Sequence, residues 1–182
     1  MLRAHAWKLG VAAIAVCALV APSIASAALP SPKQAAVVPF QSIGKIKFGI
    51  SKAKAFDVWG STSLCGVGTG GRDTCDWLSS DPNDFPEEGG VLELKNGKVC
   101  GMLMRAGTDA RDGKLTITRL KRWKTKEGVA LGSSLNSAKH MLGGKLVATK
   151  HHVTTTILGG TTASTTKKVE EISISMRGCA VT

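Results

Sequence analysis

Ser51 and Lys54 stand one helical turn apart, the Ser-x-x-Lys spacing in which a lysine activates a serine nucleophile in penicillin-recognising enzymes. No Lys-Thr-Gly completes that site, and the chain is short for that fold, so Ser51 reads instead as a helix cap. Gly66, Gly68 and Gly71 satisfy the Gly-x-Gly-x-x-Gly pattern of dinucleotide sites. That pattern works only between a strand and a helix, and here it is closed between Cys65 and Cys75 with no helical stretch after it, so it reads as a disulfide loop. Asp81, Asn83, Asp84, Glu87 and Glu88 gather hard oxygen ligands in a turn-rich segment suited to calcium. Their spacing is not that of an EF-hand, and a solvated acidic loop is the plainer reading. His140, His151 and His152 suggest a metal, but adjacent histidines on a strand point to opposite faces and a fourth zinc ligand has no evident source. No Ser-His-Asp arrangement stands out either. The expectation is a protein without metal or cofactor, and not an enzyme.

One further stretch is able to bind something. Arg119, Lys121, Arg122, Lys124 and Lys126 surround Trp123, and a flat aromatic among flexible cations suits a polyanion or an anionic sugar. The competing reading is a strand in which Ile117 and Trp123 pack inward while the cations are simply solvated. Charge along the chain is uneven. Seven acids and no base lie between Asp73 and Glu93, whereas ten bases face only Asp109 and Asp112 between Lys95 and Lys126. Such asymmetry bears on partners and association rates rather than on fold.

Compartment follows from the N-terminus and the cysteines. Arg3 and Lys8 precede an apolar run from Leu9 to Val20, and Ala25-Ser26-Ala27 ends it in the small-x-small pattern of signal peptidase, so residues 1–27 read as a signal peptide. The run is too short to span a membrane. Val16 before Cys17 argues against lipidation. Without the leader the net charge falls from +11 to +9 through loss of Arg3 and Lys8, and four cysteines remain, Cys65, Cys75, Cys100 and Cys179. In an oxidising compartment these form two disulfides. Of the three pairings, Cys65 with Cys75 joins close neighbours across a Gly-rich loop, leaving Cys100 with Cys179. Localisation is therefore expected to be secreted or in the periplasmic or cell-wall space.

These residues need elements to hold them. Ile46-Lys47-Phe48-Gly49-Ile50-Ser51 is answered 83 positions later by Val129-Ala130-Leu131-Gly132-Ser133-Ser134, with Ala55 and Gly60 matching Ala138 and Gly143. Ser51 and Ser134 are placed to cap two short helices, and Gly60 and Gly143 to end them. Helices of about nine residues are not stable alone and must dock on a partner. Asn96-Gly97 between Val91–Leu94 and Lys98–Met104 marks a hairpin, preceded by a strand at Cys75–Leu78. Lys145–Leu158 and Val169–Met176 read as strands around a Gly159-Gly160 turn. The expected fold class is α+β: two tandem repeats, 37–115 and 116–182, each a short helix packed on an antiparallel β-meander and stabilised by disulfides, after a flexible lead-in at 28–36.

The Gly-x-Ser entry, short helix, following glycine and early Trp59 resemble the repeat unit of the secreted β-lactamase-inhibitory proteins and the single-unit SmpA/OmlA (BamE) outer-membrane lipoproteins. The resemblance covers about 55 residues of each copy. It implies a concave sheet that grips a protein partner, with Gly49, Ser51, Gly60, Gly132, Ser134 and Gly143 as scaffold and no inhibitory residue carried over. The functional expectation is a secreted, non-catalytic binding protein, inhibitor-like, holding a protein or an anionic cell-envelope polymer rather than nucleic acid. A bacterial envelope-assembly factor and a small secreted hydrolase are the alternatives.

Overall fold

Asn96 and Gly97 take φ of 53° and 70°, the two left-handed residues that let a two-residue turn follow the strand twist. They join β6 (Gly89–Lys95) to β7 (Lys98–Arg105), and both strands are buried along almost their whole length. The computed structural model describes residues 29–30, 36–68, 71–79, 83, 85–159 and 167–179. The expected signal peptide and Cys17 lie outside these residues, as does most of the expected lead-in; Leu29 and Pro30 are described and both are buried.

On one side of the central hairpin lie β5 (Asp73–Leu78) and the short β4 (Cys65–Val67); on the other lie β12 (Glu171–Met176), β11 (Val153–Leu158) and β10 (Val147–Lys150). The order is β10-β11-β12-β7-β6-β5-β4, and every neighbouring pair is antiparallel. Two small sheets flank it, β1 (Val37–Val38) to β3 (Ile46–Lys47) through β2 (Ser42–Ile43), and β8 (Gly107–Thr108) with β9 (Leu115–Thr116). The helices are α1 (Lys52–Trp59) and α2 (Leu135–Met141).

The residues that recur in sequence do similar local work. Gly49 and Gly132 both sit at φ 79°, and their amides donate to Val99 O and Val169 O at 2.8 Å. Ser51 then accepts from the Lys54 amide and Ser134 from the Ser137 amide, each satisfying a first-turn donor. Gly60 caps α1 at φ 92°, while α2 ends at Leu142 with Gly143 following at φ 66°.

The architecture built on that match is different from the expected one. In place of an α+β pair of tandem helix-on-meander units, the fold is mainly β, with one seven-stranded sheet and helices of only 8 and 7 residues. The physical reason is the ladder between β7 and β12, which runs from Arg105 opposite Glu171 to Gly101 opposite Ser175. Left unpaired, each strand would present a row of free amides and carbonyls, so the sheet continues from one half of the chain into the other. The sequence match runs only from the helix entries to Gly60 and Gly143, and formation of the large sheet is decided by residues outside it.

The core lies between this sheet and the helices. Trp77, Leu92, Met102, Met104, Ile172 and Ile174 face Ala55 and Trp59 of α1, Ile43 and Ile46, and the buried Leu120 and Trp123. Trp59 stands edge-on to Trp77 (centroids 5.2 Å) and to Trp123 (5.7 Å), an arrangement favoured by the ring quadrupoles. Gly90 makes room for it: a Cβ there would meet the Trp59 ring at 3.0 Å. Cys65 pairs with Cys75 directly across β4 and β5, and Cys100 with Cys179 beyond the end of β12.

Two local expectations are also corrected. Lys145–Leu158 is a hairpin rather than one strand, turning at His151 and His152 with φ 48° and 65°. Residues other than glycine seldom take these angles, and His-His is not one of the Gly, Asn or Asp pairs that mark a hairpin, so the turn was not evident from the sequence. The pair therefore sits exposed at a turn and not on opposite faces of a strand. Lys114–Lys126 likewise holds only the short β9 and a 3-10 turn at Leu120–Arg122, because buried Leu120 and Trp123 are three apart, a turn spacing rather than a strand alternation.

Candidate functional site

Glu88 enters β6 from the acidic block with 1% of its surface exposed. A buried carboxylate needs donors, and four converge on it: the amides of Thr118 (3.0 Å), Arg119 (3.0 Å) and Leu120 (2.7 Å), and the Thr118 hydroxyl. These amides open the 3-10 turn and have no partner within it, so Glu88 caps the turn from across the fold. The segment is held at its far end too. The Trp123 amide donates to Leu120 O, Lys124 O accepts from Val37 N at 3.0 Å, and Thr125 closes a tight turn with Val129.

Arg119, Lys121, Arg122, Lys124 and Lys126 all project into solvent from this anchored backbone. The ion pairs among the described residues are Arg72 with Glu93, Arg111 with Asp109 and Lys114 with Asp112, none of which uses the five cations. The structure therefore leaves these five exposed along the stretch 119–126 and removes Trp123 from the group. Trp123 is 1% exposed, its ring lies in the core against Trp59, and it is a support for the turn instead of a stacking surface. Glu88 is turned inward, so it is not a solvated calcium ligand; Asp81 and Asp84 lie outside the described residues. His140 is exposed at the end of α2, apart in sequence from the His151-His152 turn. Ser51 is spent as a cap, with its hydroxyl on the Lys54 amide. Gly66 and Val67 belong to the edge strand β4, which is not followed by a helix.

The opposite face of the sheet carries a second polar group. Residues that alternate away from the core put Asp76, Glu93, Arg105 and Glu171 on the side without helices, around the buried Val91 and Leu103. Arg105 is the cross-strand partner of Glu171. Burial pushes the carboxyls of Asp76 and Glu171 above the ordinary range, and the charge of Arg105 offsets part of that rise. A cavity of about 250 Å³ opens here, lined by Pro86, Arg105, Ala106, Thr108, Leu158 and Glu171 among others. Burial also raises Glu93, against the charge and hydrogen bond of Arg72. Sequence reasoning missed these residues. Glu93 inside the apolar run Val91–Leu94 was the one available signal, since a carboxylate on a buried strand demands a partner.

No family model and no curated protein matches the chain. Among solved structures, the crystal structure of a cysteine-rich secretory protein from Staphylococcus aureus subsp. aureus Mu50 is similar at a TM-score of 0.46 and 11% identity. The match covers 84% of this chain and 50% of that one, so the present chain spans about half its length. Among the described residues no helix is long and apolar enough to cross a membrane, and the two disulfides are those of a chain that matures in an oxidising compartment.

Proposed function

We propose that this is a secreted, non-catalytic binding protein that holds an anionic macromolecular partner on the turn from Arg119 to Lys126. One observation carries the reading: five exposed cations, none of them in an ion pair among the described residues, stand on a backbone fixed by the Glu88 carboxylate at its start and the buried Trp123 ring within it. A preorganised cluster loses less freedom on binding than cations on a loose loop. The partner is a polymer bearing regularly spaced phosphates or carboxylates, or a protein with an acidic surface. Chromatography on immobilised wall polymer tests the first form. Retention that salt reverses supports it, and passage through the column at low salt removes it.

A second reading, a small hydrolase, draws on the cavity lined by Arg105 and Glu171, where burial raises the Glu171 carboxyl against the charge of the guanidinium opposite it. Turnover of an ester or glycoside abolished by Glu171→Gln would establish it in place of the binder.

A further inference from the structure

The Cys100–Cys179 bridge does not lie in apolar surroundings. A carboxylate oxygen of Glu93 and the sulfurs of Cys100 and Cys179 lie within 4.8 Å of one another, and all three residues are buried. Glu93 pairs with Arg72 through one oxygen, while its Oε2 is buried with no hydrogen-bond partner. An acceptor left unused in a buried site is costly, and a carboxylate with one oxygen to spare beside two sulfurs has a ligand to offer. The Cα atoms of Cys100 and Cys179 are 5.8 Å apart. That separation suits a bridge, and it also suits two thiolates on one tetrahedral ion, whose sulfurs at about 2.3 Å from the metal stand about 3.8 Å apart. Among the described residues no other grouping of metal-ligand side chains has this geometry; Cys65 and Cys75 have no third ligand beside them.

We propose that reduction of the Cys100–Cys179 bridge converts this corner into a zinc site, with Cys100, Cys179 and Glu93 as ligands and the fourth position left to water. The charges close. A divalent ion with two thiolates and a carboxylate carries one negative charge, and the Arg72 guanidinium, already on Glu93, neutralises it, as a buried site requires. The Arg72 side chain is 23% exposed while Glu93 is 4% exposed, so the guanidinium that balances the charge reaches the surface from a buried carboxylate. In the reductive step a phosphine or dithiol supplies two electrons. With a phosphine, the sulfur–sulfur bond breaks, water gives its oxygen to phosphorus as phosphine oxide, and its two protons pass to the two sulfurs, leaving them as thiols. Binding of zinc then releases both thiol protons. Bridge and metal are thus alternative occupants of one place, and the inference is independent of the basic turn.

The test uses the full chain carrying Cys17→Ser, Cys65→Ser and Cys75→Ser, so that two sulfurs remain. After anaerobic phosphine reduction, titration with Co²⁺ is expected to give a one-to-one complex with thiolate-to-cobalt absorption in the near ultraviolet, displaced by Zn²⁺ and absent from the oxidised protein. Adding Glu93→Gln should weaken the complex at least tenfold, and adding Cys179→Ser should abolish it. Should the triple variant not fold, the Cys17→Ser chain is reduced and alkylated with and without zinc. Zinc is expected to protect Cys100 and Cys179 while Cys65 and Cys75 are labelled. No absorption band, an affinity unchanged by Glu93→Gln, or equal labelling of all four cysteines would overturn the proposal.

Discussion

The carboxylate of Glu88 accepts the amide hydrogen of Leu120 at 2.7 Å across 32 residues of chain, and so ties the acidic segment of the protein to the start of its basic turn. The same carboxylate takes the amides of Thr118 and Arg119. An acid that seemed available to solvent or calcium is a structural cap, and the cations beyond it inherit a defined position.

Glu88→Ala leaves three amides and a hydroxyl without their acceptor. Hydrogen bonds to a charged group contribute roughly 1.5–3 kcal/mol each, with part recovered by water, so a loss of about 3 kcal/mol is expected in urea unfolding. An effect below about 1 kcal/mol would show that the turn forms without the cap.

Trp123→Ala should cost about 3–5 kcal/mol, because the ring fills the core against Trp59. Trp123→Phe is expected to cost much less, since the buried indole Nε1 of Trp123 has no hydrogen-bond partner to lose. Trp77→Phe forfeits a 3.0 Å bond to Gly60 O as well as volume, so it should be the more damaging of the two Phe variants in the same assay.

Acid should first stabilise the fold. Asp76, Glu93 and Glu171 have folded-state pKa values raised by burial, so the native state binds their protons more readily than the unfolded chain does. Their contribution is most favourable below the ordinary carboxylate range and declines as pH rises through the raised values. Asp109 acts in the opposite sense. Its hydrogen bonds to Arg111 lower it to about 2, and that support fades as pH falls from near 4 toward 2. Melting temperature followed by circular dichroism is therefore expected to rise as pH falls from neutrality toward the ordinary carboxylate range, and to drop below about pH 4 as Asp109 is protonated. A monotonic fall from neutrality would contradict the burial of these three acids.

Gly60 and Gly143 both have open space where a Cβ would point, so substitution there tests backbone strain alone. At φ of 92° and 66°, Val in either place is expected to cost about 1–3 kcal/mol. Thermal unfolding of the two single variants measures it, and a neutral result at either would mean that the positive φ is not required.

What was legible in the sequence was local. The caps at Ser51 and Ser134, the Asn96-Gly97 turn and the Cys65–Cys75 bridge each follow from short-range chemistry, and the structure forms them; Cys100 with Cys179, 79 residues apart, followed only because the other two cysteines were already paired. Long-range pairing was not legible. Nothing in Gly101-Met102-Leu103-Met104-Arg105 names Glu171–Ser175 as its neighbour, and that pairing makes one mainly β sheet where two α+β units were expected. At the candidate site the cations were legible because exposed charge needs no context. The placement of Trp123 in the core and of Glu88 beneath the turn depends on contacts 30 or more residues away, which no local pattern encodes.

The central claim is that the cations from Arg119 to Lys126 bind an anionic partner, and its most direct measurement is the salt dependence of affinity for a purified anionic wall polymer. Exposed charges are screened over about 8 Å at physiological ionic strength, so the wild-type dissociation constant should rise steeply between low and moderate salt. Changing Arg119, Lys121, Arg122 and Lys124 to Gln removes four charges that touch neither the core nor an ion pair, and should flatten that dependence while leaving the melting temperature nearly unchanged. If the Gln variant folds as the wild type does and binds with the same affinity and salt response, the turn is a solvated surface and the account is wrong.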